Sequence, residues 1–178
     1  STMIQGQANE CIVHKMLLDE FGQSTVIDAA MNQFHGGNLG HLVVQMKPLN
    51  AGHAKKVGRI VCDVTGIKQV TVVDTDIDIR YQHHLDWVMN SRVDPARDVV
   101  ILHDMFQPLD PCARQGMSSK MVIDATHKGT FPDISLPPKE VLLKAYENWH
   151  QVDLPAFNLP NRVERVLDFH QQRMSQQK

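Results

Sequence analysis

The sequence predicts an α/β fold, a mainly parallel sheet with helices on both faces, and three observations predict it. Short apolar, β-branched runs (LVVQM, VTVVD, DVVILH and KMVIDA) recur with helical stretches between them. The runs are continuously apolar rather than alternating, as in strands buried on both sides. LVVQM and VTVVD flank a segment of helical period, which makes a βαβ unit with an expected right-handed crossover.

The elements follow in order. Ala8, Cys11, Leu18 and Phe21 share one broad face of a linker helix over residues 1–22 that Gly22 ends. VIDAAM is a short strand, and the glycines of HGGNLGH read as a turn between strands. They lack the GxGxxG spacing, and a strand rather than a helix follows. Ala54, Val57, Val61 and Val64 give the helix between LVVQM and VTVVD, ended by Gly66. Leu85, Val88, Met89 and Arg92 mark a further helix, stopped by Asp94-Pro95. DVVILH and KMVIDA then supply the third and fourth buried strands of an α/β domain over residues 23–135. Residues 136–178 form a helical tail. Pro137-Pro138 open a helix with Val141, Leu142, Ala145 and Trp149 on its apolar face, and DLPAFNLP links it to a last helix carrying Val163, Val166, Leu167 and His170. Such amphipathic helices suit oligomer contacts.

Composition narrows the function classes. With 178 residues, the chain suits one domain and its tail, and a net charge of −2 without a basic stripe argues against nucleic acid. Cys11, Cys62 and Cys112 form no CxxC pair, which fits reduced thiols in a cytoplasmic protein. No apolar run approaches the length of a membrane span.

The acidic strand end VVDTDIDIR is the most conspicuous polar feature. In an extended strand Asp74, Asp76 and Asp78 share a face. An EF-hand beginning at Asp74 needs Gly and Glu where the chain has Ile79 and Leu85, so no calcium loop is expected. The carboxylates read better as hydrogen-bonding anchors and helix caps at the crevice of the sheet, and no metal site is assigned. His83-His84 reads as a solvated pair. Cys112, with His103 or His127, carries no protease signature. In SRVDPARD, the residues Arg92, Asp94, Arg97 and Asp98 form a salt-bridged turn. No self-sufficient catalytic set emerges.

Taken in order, VVDTDIDI, LDWVMNSRVDPARDVVI, PLDP and SSKMVIDAT resemble the C-terminal domain of the UbiD-like decarboxylases, the family of 3-polyprenyl-4-hydroxybenzoate decarboxylase and ferulic acid decarboxylase. The family run is matched at Asp76, Ile77, Asp78, Trp87, Arg92, Asp94, Pro95, Arg97, Asp98, Pro108, Leu109, Pro111, Lys120, Asp124, Ala125 and Thr126. GHAKKVG resembles the helix before the acidic strand. The resemblance covers roughly Ala8 to Pro155. His83-His84 and Ser91 depart from the family's usual Asp/Glu and Thr.

The resemblance implies a component of a (de)carboxylase that uses prenylated FMN, with manganese and potassium ions, on an aromatic or α,β-unsaturated acid. In full-length members a preceding flavin-binding domain supplies the catalytic arginine and two glutamates. This chain has nothing like the E-G-P-F-G-E element, so it is expected to carry no catalytic residue and to bind no flavin alone. The implied role is that of a lid and oligomerisation domain, partnered by a flavin-binding domain in cis or in trans. By position, Gln107, Pro108 and Leu109 line the substrate pocket, and Lys68, in the loop Gly66–Gln69, touches the cofactor. Gln107 stands where ferulate enzymes carry an aromatic residue, which implies a polar group on the substrate. A stand-alone oligomerisation or scaffold protein of the same fold is the alternative.

Overall fold

The strands form one sheet in the order β1-β2-β3-β5-β4. The computed structural model describes residues 2–32, 40–64, 66–129, 137–149 and 151. Along them run α1 (Thr2–Phe21), β1 (Val26–Met31), β2 (His41–Met46), α2 (His53–Cys62), β3 (Gln69–Val73), α3 (Gln82–Arg92), α4 (Pro95–Asp98), β4 (Val99–Phe106), β5 (Met117–Asp124) and α5 (Lys139–Trp149). The chain divides into two compact units, Ser1–Phe131 and Pro132–Lys178.

In the first unit β2, β3 and β5 lie parallel side by side. β1 and β4 pair antiparallel at the two edges. The sheet is therefore parallel at its centre and mixed overall. A parallel crossover needs about a dozen residues or more, and the turn from Phe106 to Met117 is too short for one. β4 and β5 must therefore return as a hairpin.

One face of the sheet carries the larger core. Val13 and Leu17 of α1 and Ala54, Val57 and Val61 of α2 close over Leu42, Val44, Met46, Val70, Val72 and Val122. Full burial of each valine, leucine or methionine among them stabilises by roughly 1.5–3 kcal/mol. On the other face Val43, Thr71, Val73 and Ile123 are buried as well, in keeping with continuously apolar strands.

Two glycines fit α2 to this core. Gly52, at its N-cap, has φ of 85°, a conformation most side chains resist. Gly58 lies so near Val122 that an added Cβ would overlap the valine side chain.

Three expectations need correction. The buried stripe of α1 is Val13 and Leu17, supported by Met16, Leu18 and Phe21, whereas Ala8 and Cys11 are exposed. β4 is not a buried strand: Ile101 and Phe106 are 45% and 63% exposed. It is an edge, kinked where the register shifts between Leu102 and Met105 and Asp104 adopts φ of 53°. Finally, α2 ends at Cys62, before Val64 and Gly66.

In the second unit, α5 has exposed Val141, Leu143 and Ala145, with Trp149 half-buried. The last helix expected near Val163, Val166, Leu167 and His170, the linker before it, and most of HGGNLGH lie outside the described residues.

Candidate functional site

The three aspartates do not share a face. β3 ends at Val73, and the chain turns immediately afterwards, so the period-two rule no longer applies. Asp74 and Asp76 instead meet Arg92 at the last turn of α3. The guanidinium reaches Asp76 through two hydrogen bonds of 3.0 and 2.5 Å and Asp74 through one of 3.1 Å. It also lies over the Trp87 ring, 5.2 Å from its centre. Asp78 is exposed and closes a local turn by accepting from the Arg80 N–H. None of the three caps α3, whose N-cap position is held by Tyr81.

The same end of the sheet is filled by further charges. Asp74 accepts from the His127 N–H. Lys128 donates to the Arg92 carbonyl and stands 3.5 and 3.4 Å from Asp98 and Asp124. Asp94 caps α4 by accepting from the Ala96 N–H, and Asp98 accepts from the Asp94 N–H and pairs with Arg97 at 3.2 Å. Burial pushes the Asp74 carboxyl up to about 6, with Asp76 and Asp124 adding to the rise, although His127 and Arg92 oppose it. This end is a packed ionic knot.

The segments expected to line the pocket come together at the opposite end of β3. Lys68 pairs with Asp110 at 2.8 Å, which raises the lysine and holds the Asp110 carboxyl down at about 2, the Lys68 hydrogen bond being the main cause. Gln107 is buried, with 2% of its surface exposed. Its Oε1 accepts from the Gly66 N–H at 3.0 Å, and its own N–H donates to the Gly116 carbonyl at 2.8 Å. Pro108 and Leu109 stand at the tip of the turn, exposed. Phe106 joins them on the surface.

Sequence reasoning did not single out Lys120 for this end. Its side chain is buried, and Nζ donates to the carbonyls of Cys62 and Val64 at 2.5 and 3.1 Å, at the C-terminus of α2. An ammonium there satisfies carbonyls that the helix cannot, and it suits the helix dipole. The available signal was a lysine two residues before Val122, on the core side of a buried strand.

Cys112, His103 and His127 each have local partners. Cys112 is exposed, its amide on Asp110, while His103 meets Ser119 and His127 meets Gly129. Burial pushes the Cys62 thiol up to about 11, well away from a reactive thiolate. His84 accepts from the Asp78 N–H, and both His83 and His84 lie edge-on to Tyr81. Among the described residues no group of three His, Cys, Asp or Glu side chains is placed to hold a metal ion. No described helix is long and apolar enough to cross a membrane.

Residues 3–125 match the family described as the 3-octaprenyl-4-hydroxybenzoate carboxy-lyase C-terminal domain. Among solved structures, the chain is similar to the UbiD-class enzyme HmfF from Pelotomaculum thermopropionicum, determined in complex with FMN. The TM-score is 0.68 and the identity 27%, over 82% of this chain and 34% of that one. It shares its fold with the vanillic acid decarboxylase of Sedimentibacter hydroxybenzoicus in open form, with a TM-score of 0.59 and 24% identity over 93% of this chain and 32% of that one. A third likeness of fold is to the 3,4-dihydroxybenzoic acid decarboxylase of Klebsiella pneumoniae, with a TM-score of 0.63 and 17% identity over 82% and 34% of the two chains. The chain thus spans about a third of the length of the solved relatives it matches.

Proposed function

The chain belongs to the family of the 3-octaprenyl-4-hydroxybenzoate carboxy-lyase C-terminal domain, and from that premise we propose that it is the lid and oligomerisation part of a prenylated-FMN-dependent (de)carboxylase. Its substrate class is an aromatic or α,β-unsaturated carboxylic acid. The observation that carries this reading is the match over residues 3–125 to the C-terminal domain of the family.

In this reading the flavin-binding domain, in cis or in trans, supplies the catalytic arginine and glutamates and holds the cofactor with its ions. When bound, the prenylated flavin supplies an electron sink for loss of carbon dioxide. Lys68, the expected contact, is ion-paired with Asp110 at 2.8 Å, which holds its ammonium at the turn. No chemical step is therefore assigned to this chain. Its contribution is a wall, formed by the exposed Pro108 and Leu109, which excludes water when the two domains close.

A homo-oligomer in the cytoplasm completes the proposal, the oligomer supported by the apolar residues exposed on α5. Turnover tests it. The purified chain is supplied with prenylated FMN and candidate acids, with and without the flavin domain of a related enzyme. Carbon dioxide release only in the mixture is expected. Release by the chain alone would refute the assignment, and a chain inert in every mixture would favour the scaffold alternative.

A further inference from the structure

The segment joining α2 to β3 is held from one side at three points. Lys120 in β5 takes the Cys62 and Val64 carbonyls. Gln107, at the start of the β4–β5 turn, takes the Gly66 N–H. Asp110, the residue directly after the exposed Pro108-Leu109 tip, takes the Lys68 ammonium. All three side chains belong to the β4–β5 hairpin. Gly66 sits at φ of 95°, so its N–H is presented by a conformation that glycine alone adopts readily.

We propose that Gln107 is a positioning residue, whose side chain locks the Gly66 loop onto the β4–β5 turn so that both move as one body and present Leu109 and Phe106. This rests on the reading that the turn and the loop wall the substrate pocket. Three observations favour positioning over direct substrate contact. Gln107 is 2% exposed, whereas Leu109 and Phe106 are 78% and 63% exposed. Its side-chain Oε1 accepts from the Gly66 N–H, and its backbone N–H donates to the Gly116 carbonyl, fixing the residue on the far side of the turn. Gly66 is half-buried, and a backbone N–H left there without its acceptor is costly, so an apolar residue at 107 would loosen the loop. Preorganising a wall in this way acts on every substrate alike. Residues at the tip, by contrast, would choose among substrates.

Amide exchange and hydrogen-bond couplings by NMR on the full chain test this. In the wild type, a through-hydrogen-bond coupling between the Gly66 nitrogen and the Gln107 Cδ is expected, and its absence would overturn the proposal even if every variant misfolded. In Gln107→Met, Gly66 should exchange about fivefold faster or more, with Val72 in β3 still protected as the control for folding. Gln107→Glu keeps an oxygen to accept and should restore slow exchange. Unchanged Gly66 exchange in Gln107→Met would count against the lock. With an added flavin domain, Gln107→Glu should scale kcat/KM equally for two acids that differ by one polar ring substituent. A changed ratio between them would make Gln107 a substrate contact instead. Should no mixture turn over either acid, the functional reading fails while the coupling still decides the role of Gln107.

Discussion

The two ends of β3 are both polar, but in different ways. At its C-terminal end the Arg92 side chain is 1% exposed and wedged between Asp74 and Asp76. At its N-terminal end the polar contacts lie behind an exposed apolar tip, with Leu109 78% exposed. Five residues at about 3.3 Å each separate the two ends by roughly 16 Å. Charges that consume one another build architecture, while polar links that hold an apolar edge outward build a surface for something else. The acidic run that draws the eye in the sequence belongs to the first kind.

Substitutions should separate the two ends, and the largest effect falls at the ionic knot. Arg92→Met strands two carboxylates in a buried setting, and urea unfolding should show a loss of about 3–5 kcal/mol. Gly58→Ala drives a methyl into Val122 and should cost about 1–3 kcal/mol, read as a lower thermal midpoint.

Asp74 offers a comparison in pH. Its folded-state value of about 6 lies above the ordinary aspartate value of 3.8, so the folded chain binds this proton more tightly than the unfolded one. Ionised Asp74 therefore costs stability above pH 6, and that cost fades as the pH falls from about 6 toward 4. Asp74→Asn removes this dependence. The stability difference between variant and wild type should shift by about 1–3 kcal/mol between pH 7 and pH 4, moving against the variant as the solution is acidified. A constant difference across that range would show that Asp74 ionises normally.

The smallest effect belongs to the other end. Leu109→Ser should alter folding stability by less than about 0.5 kcal/mol. It should nevertheless weaken turnover in the mixture with a flavin domain. A large loss of stability would place Leu109 in a core and undo the contrast.

Much of the fold was legible because continuous apolar runs and a change of period are direct marks of buried strands and crossover helices. LVVQM, VTVVD and the helix between them became β2, β3 and α2, with β2 and β3 parallel. DVVILH misled because its composition matches a central strand while its position is set by the short turn that follows, which forces a hairpin at the edge. Ala8 and Cys11 misled because a weakly amphipathic helix offers several plausible stripes, and only packing on β1 selects Val13 and Leu17. At the candidate site, the aspartate spacing assumed an extended strand that had already ended at Val73. The partners of Gln107 and Lys120 lie 41 and 58 residues away at Gly66 and Cys62, beyond the reach of any local pattern.

The most direct test of the contrast is to titrate the isotopically labelled chain with the flavin domain of a related enzyme and map the amides that respond. Perturbation concentrated at Gly66, Lys68, Phe106, Gln107, Leu109 and Asp110, with Asp74, Asp76 and Arg92 unmoved, is the predicted result. Perturbation centred on Asp74, Arg92 and His127 would put the working edge at the ionic knot and contradict the assignment made here.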